Sequence, residues 1–350
     1  MSSQGEEMRR GVAYGVAAGA LWGTVFLGPR LLPEFSPLYL SAGRYIMYGA
    51  VSLLAAAPMA RRLATRLTAQ DLRALLVLAL AGNLVYYMLL AAAVQLVGIA
   101  PASLIIGILP VTITLAGSRE HGALPLARLI WPLVVVVAGI LCVNVEVFSA
   151  PGAGSWQARL LGVACAAGSL CLWTWFAVAN ARFLQRHQRF TGNEWSVLWG
   201  IVTGLLGVLL WPLAMLAASW AAPAVPAAGI AAPGGLATAL SELFAAPPHT
   251  LWWQFWGVNL VLAVGASWLG NGLWNAAARR LPLTLSGQLI VFETLFALLY
   301  GFALAQRMPR PLETLAIVLL TGGVCWSVRT HADERRNPSP RSTGGGTGGI

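Results

Sequence analysis

The stretch AVQLVGIAPASLIIGILPVTITL, residues 93–115, lies without a gap against AARRLPLTLSGQLIVFETLFALL, residues 277–299, and that match decides how the chain is organised. Upstream, GALWGTVFLGPR at 19–30 resembles GSLCLWTWFAVANAR at 168–182, with Trp22 opposite Trp173. The blocks are offset by 184 and 151 residues, so 33 additional residues enter between them in the second copy. Most of these fit in AAPAVPAAGIAAPGGLATALSELFAAPPHT (221–250), which reads as a Pro/Ala/Gly-rich loop with LATALSELF as a short interfacial helix. Self-similarity of this kind marks two structural units of one type. Short apolar, Gly-rich stretches also match through composition alone, so the spans around them have to be placed independently.

Composition places them. Of 350 residues, 58% are hydrophobic and 10% charged, with a mean hydropathy of +0.72, whereas about a quarter of a soluble protein is charged. Apolar windows long enough to cross ~30 Å of hydrocarbon fall near 11–31, 37–57, 74–94, 98–118, 127–147, 159–181, 196–218, 254–276, 284–306 and 311–329. The expectation is an all-α polytopic membrane protein with ten transmembrane helices. Disorder, a disulfide scaffold and a large catalytic ectodomain are excluded, because nearly every residue from 11 to 328 is needed to cross or border a bilayer. Arg9-Arg10 before GVAYGVAAGALWG reads as the start of an uncleaved first helix rather than a secretory signal.

The formal charge of +10 would suggest nucleic acid in a soluble chain, but all 22 basic residues are Arg and they segregate. With the N-terminus inside, 17 fall in cytoplasmic segments, Arg30, Arg159, Arg307 and Arg310 fall outside, and Arg44 lies within a span. The positive-inside rule then puts both termini in the cytoplasm, where the arginines face anionic lipid headgroups. Cys142, Cys165, Cys171 and Cys325 lie in apolar stretches without metal spacing and read as small core hydrophobes.

Five spans per unit is an odd number, which inverts one unit relative to the other. LWGTVFLGPR followed by FSPLYLSAGRY, then LWNAAARRL, then LIVFETLFALLYGFALAQRMPRPLETLAIVLLTGGV resemble the EamA-type repeats of the drug/metabolite transporter superfamily over residues 11–329. GNLVYY at 82–87, LIIGILPV at 104–111 and LIVFETL at 289–295 resemble the YtfF-type inner-membrane proteins within it. The resemblance implies a bacterial inner-membrane exporter or exchanger of small metabolites with 5+5 inverted repeats about a central cavity. Its parts would be a cytoplasmic N-terminus (1–10), a first repeat (11–147), a second (148–329, with outer loop 219–253) and a disordered cytoplasmic tail (330–350).

Ionisable groups at membrane depth are costly, so each needs a partner or a function. Glu293 lies about ten residues into the ninth span, ~15 Å from its start and near the midplane, the only acid so placed. It is either a substrate- or proton-coupling carboxyl, or a hydrogen-bonded Glu that pins two helices. Its repeat mate is Leu109. Many members of the superfamily carry Glu-Pro here, whereas this chain has Glu293-Thr294 in one half and Leu109-Pro110 in the other. Pro110 is expected to loosen its helix, while the ninth span runs unbroken. Arg44, ~10 Å below the outer surface, matches an arginine common in the superfamily. It would draw a substrate carboxylate or phosphate, or pair with Glu293 or Glu34; snorkelling or bonding to helix-end carbonyls is the structural alternative.

A second group holds Asn83, Tyr86 and Tyr87 on the third span and Ser267, Trp268, Asn271 and Asn275 on the eighth. Spacings of three and four put Trp268, Asn271 and Asn275 on one helical face, suited to a polar metabolite. The alternative is interhelical hydrogen bonding, worth about 1 kcal/mol per contact. Trp22, Thr24, Trp173, Trp175, Asn180 and Gln288 are lesser candidates, and Gly200, Gly204 and Gly207 permit close helix packing.

The leading expectation is a secondary-active transporter, an exporter of a small polar metabolite such as an amino acid or related compound, working by alternating access on a proton or substrate gradient. No Walker A sequence is present, which excludes ATP hydrolysis by this chain. A passive facilitator or multidrug-type exporter in the same fold is the alternative. A membrane-embedded enzyme is the rival class, disfavoured because His121, His187, His249 and His331 fall in loops or the tail and no HExxH, GxSxG or paired intramembrane Asp exists. No cofactor, metal or nucleic acid is expected; the expected partners are the substrate, protons and anionic headgroups.

Overall fold

The computed structural model describes residues 3–117, 130–149, 155–186, 189–221, 243–248, 250–278, 280 and 289–336. Among the described residues every regular element is a helix and none is a strand. The main helices are α1 (Ser3–Gly23), α2 (Pro37–Ala56), α3 (Ala69–Val97), α4 (Ile99–Ile106), α5 (Leu109–Gly117), α6 (Ile130–Ser149), α7 (Trp156–Arg186), α8 (Gly192–Ala221), α9 (residues 252–278), α10 (Val291–Leu304) and α11 (Pro311–Arg336). Four segments are long and apolar enough to cross a membrane by length and composition: Arg9–Leu31, Ala69–Val97, Trp156–Asn180 and Gly192–Trp220.

Local chemistry explains the boundaries. Pro37 opens α2 at a position where its missing N–H costs nothing. Thr68 and Asp71 form a reciprocal capping box at the start of α3, and Thr191 and Glu194 do the same for α8, at 2.8 and 3.2 Å. Gly98, with φ of 91°, turns the chain between α3 and α4 in a conformation that a side chain would strain. Pro110 has no N–H to give to the Ile106 carbonyl, and the helix breaks at Gly107–Ile108 between α4 and α5, as its sequence predicts.

Packing follows close backbone approach. α2 lies along α8, where a Cβ on Gly49 would sit 2.5 Å from the Cα of Gly204, and one on Gly200 would strike Ser52. α1 packs against α10 through Gly19 and Gly23, which face Phe292 to Ala297. α3 runs beside α7, α4 touches both α7 and α10, α6 runs along α11, and α1 also meets the end of α9. Large apolar side chains such as Leu54, Leu205, Leu209 and Val261 point outward, the arrangement that a hydrocarbon surround favours.

Two expectations change here, and a third lies beyond the described residues. α11 continues to Arg336, so residues 331–336, His331 included, are helical rather than part of a disordered tail. Of the cysteines only Cys165 is buried; Cys142 is half-buried, and Cys171 and Cys325 are exposed, because an apolar residue in such a protein is as stable facing lipid as facing the core. LATALSELF falls almost wholly outside the described residues.

Candidate functional site

The interior polar groups are set by two irregular helices. α3 and α9 each contain a π-helical stretch, Leu80–Val85 and Ala263–Leu269. Hydrogen bonds of i→i+5 type admit an additional residue per turn and recur at functional sites. Backbone carbonyls in and just beyond the first stretch are taken by neighbours: Ser41 Oγ donates to Leu84 O (3.0 Å) and Ser169 Oγ to Tyr86 O (3.1 Å). Asn83 within that stretch donates from Nδ2 to Thr203 Oγ1 of α8 at 2.9 Å. Ser267 within the second accepts from Arg44 Nη2 of α2 at 3.2 Å.

Arg44 is 6% exposed. Its guanidinium carbon stands 4.4 Å from the ring centre of Tyr87 and 5.2 Å from that of Tyr45, so two aromatic faces hold the cation. Nε and Nη1 are buried without a hydrogen-bond partner, as is the Tyr87 hydroxyl. The ion pair with Glu293 or Glu34 that the sequence left open is not made within 4.0 Å among the described residues, and the guanidinium is buried in the interior rather than snorkelling outward. Glu293 is 5% exposed. The Arg44 charge acts on it from beyond contact distance, and Glu293 in turn acts electrostatically on Tyr86.

Glu293 lies at a helix start rather than deep inside an unbroken ninth helix, which corrects the expectation. Leu289 is helical, Ile290 forms a turn and α10 begins at Val291, with Glu293 N bonded to Ile290 O at 2.9 Å. The carboxyl therefore belongs to the first turn of α10, where the helix dipole favours negative charge. No proline announces this break. It abuts the other one: a Cβ on Gly107 would sit 2.9 Å from Thr294 Oγ1.

The eighth-span face is also corrected. Ser267 is buried and Asn271 half-buried, but Trp268 is 43% exposed and points away. The π stretch ends at Leu269, between Trp268 and Asn271, and one added residue turns a helix by ~100°. Asn271 lies within hydrogen-bonding reach of the Tyr48 hydroxyl, and Asn275 Nδ2 donates to Ser196 Oγ at 3.3 Å. Trp22 covers Gly270 and meets Trp274 with ring centres 5.2 Å apart. Thr24 bonds its own helix at Leu21 O (2.6 Å). Pro110 marks the α4–α5 break. Trp173 packs edge-on against Phe176, Trp175 is exposed, Asn180 accepts from Trp195 Nε1 at 2.9 Å, and Gln288 lies outside the described residues.

Sequence reasoning passed over Tyr45 and Tyr48, although their positions one and four residues after Arg44 place them beside it on α2. It also passed over the buried acids Asp71, Glu194 and Glu313, of which the first two join the same pair of helices. Asp71 pairs with Arg189 at 3.3 Å, and Glu194 with Arg62 at 2.5 Å and Arg66 at 3.8 Å. The short helix Ala60–Arg66 before α3 thus reaches the start of α8, and the loop before α8 reaches the start of α3. The Thr-x-x-Asp and Thr-x-x-Glu patterns were the available signal.

Comparison with known proteins agrees with this architecture. The EamA-like transporter family matches residues 9–145. Inner membrane protein YtfF of Escherichia coli (strain K12) is 34% identical over 336 residues, covering 93% of this chain and 97% of its own. One solved crystal structure superposes with a TM-score of 0.57 over 93% of this chain and 98% of its own, at 18% identity, which speaks to fold alone. The chain is a multi-pass protein of the bacterial inner membrane and belongs to the EamA-like transporters of the drug/metabolite transporter superfamily, among its YtfF-type members.

Proposed function

We propose that this transporter is a secondary-active exporter of a small polar metabolite, built as ten spans in two inverted five-helix repeats with both termini cytoplasmic. The mirrored packing supports the repeat. Exchanging each predicted span for the one five further on leaves the pattern of pairings intact: first with eighth and sixth with third, first with ninth and sixth with fourth, second with seventh, fifth with tenth. The π stretches agree as well, since the 184-residue offset carries Leu80–Val85 onto 264–269 and Asn83 onto Ser267. Discontinuous helices at the repeat interface are the usual location of substrate and coupling sites in such folds.

The observation that carries the function is that Arg44 and Glu293, both buried, form no ion pair with each other within 4.0 Å although the field of one reaches the other. Two buried groups of opposite sign kept apart are both left for an arriving polar group to satisfy. The reading does not invoke an enzyme, cofactor or metal. Metabolite profiling of cells with and without the protein identifies the cargo. Uptake into proteoliposomes under an imposed pH gradient then tests coupling: Glu293→Gln should lose gradient-driven accumulation by tenfold or more. Unchanged flux and pH dependence in Glu293→Gln would make the carboxyl structural, and downhill flux retained without accumulation would make it the coupling group alone.

A further inference from the structure

Arg44 is a cation in the packed interior with an incomplete set of partners. Its Nε and Nη1 together carry three N–H donors, none with an acceptor, and its single hydrogen bond goes to a neutral hydroxyl at 3.2 Å. The Tyr87 and Tyr45 rings offer π faces, and the Tyr87 hydroxyl stands close to the guanidinium without completing a hydrogen bond to it. The Tyr87 hydroxyl, also without a partner, is a further donor beside the guanidinium. Unpaired donors on a buried charge are costly unless an acceptor arrives, and the Glu293 carboxylate, whose charge it senses, stays beyond 4.0 Å.

We infer that Arg44, Tyr87 and Ser267 form a receptor for an oxyanion, so that the transported compound carries a carboxylate or phosphate group at this position. The inference rests on the transporter reading above and gives its substrate a chemical class. The guanidinium supplies charge and fixed donor geometry, the fit that favours arginine for such groups. The aromatic clamp fixes its plane, and Ser267, presented by the π stretch of α9, fixes its rotation. Helices α2, α3 and α9 each contribute one of the three side chains, so an arriving oxyanion would tie them together.

The test is thermal unfolding of the purified, detergent-solubilised protein in potassium acetate, potassium phosphate and potassium chloride at equal ionic strength. Acetate or phosphate should raise the parent midpoint by about 2–5 °C over chloride near saturation, and whichever acts more strongly identifies the group. Arg44→Gln should abolish that rise and leave the midpoint in chloride unchanged or higher, because it removes an uncompensated charge. Tyr87→Phe should fold normally and reduce the rise. An equal response to all three salts, a full response in Tyr87→Phe, or an Arg44→Gln variant that fails to fold or melts far lower would each overturn the receptor. A parent that responds to oxyanions but carries no gradient-driven flux would remove the transporter reading and leave the receptor standing. A parent that transports while its midpoint ignores acetate and phosphate would do the reverse.

Discussion

At the scale of single residues, the sequence shows which side chains are out of place in a membrane but not which way they turn. Arg44 and Glu293 stand out because charge at that depth demands an explanation, and both are buried. Trp268 shows the opposite outcome. Its spacing puts it with Asn271 on an ideal helix, yet the π stretch that ends at Leu269 turns it outward, to 43% exposure. Trp268→Ala should therefore leave transport within about twofold of the parent and change stability by less than about 0.5 kcal/mol, the usual range for surface substitutions. A tenfold loss of flux in proteoliposomes would return Trp268 to the site.

At the scale of elements, two kinds of irregularity matter, and they differ in legibility. The α4–α5 break is written in Pro110. The turn at Ile290 and the two π stretches have no comparable residue signature; in and just beyond Leu80–Val85 the Leu84 and Tyr86 carbonyls accept from Ser41 and Ser169 of neighbouring helices, contacts that a local pattern does not show. Glycine is legible as small but not as to what it touches. Gly204 meets Gly49 so closely that a Cβ would stand 2.4 Å from the opposing Cα, whereas Gly257 has nothing within 4 Å. Gly204→Ala should cost about 1–3 kcal/mol, the range for overpacking, and Gly257→Ala should be close to neutral. Equal melting temperatures for the two variants would contradict the α2–α8 contact.

At the scale of the whole molecule, the internal match and the span count lead directly to an all-helical inner-membrane transporter, because they depend on composition and period rather than on side-chain direction. The crossed ion pairs at one end were not legible in that way, since they join residues more than a hundred positions apart. Glu194 is both a helix cap and the partner of Arg62, whose side chain is 60% exposed. Glu194→Ala should cost about 1–2 kcal/mol, mostly through the lost cap, and Arg62→Ala less than about 1 kcal/mol, as for other solvent-exposed pairs. Equal losses in thermal unfolding would assign the stability to the ion pair instead. The Gly49–Gly204 contact connects this end to the interior. Arg44 lies five residues from Gly49 along α2, ~7.5 Å, and Glu194 lies ten residues from Gly204 along α8, ~15 Å. The glycine pair would thus serve as a fulcrum with unequal arms: were the two helices to pivot there, the end tied by Arg62 would sweep about twice the distance travelled by the Arg44 backbone.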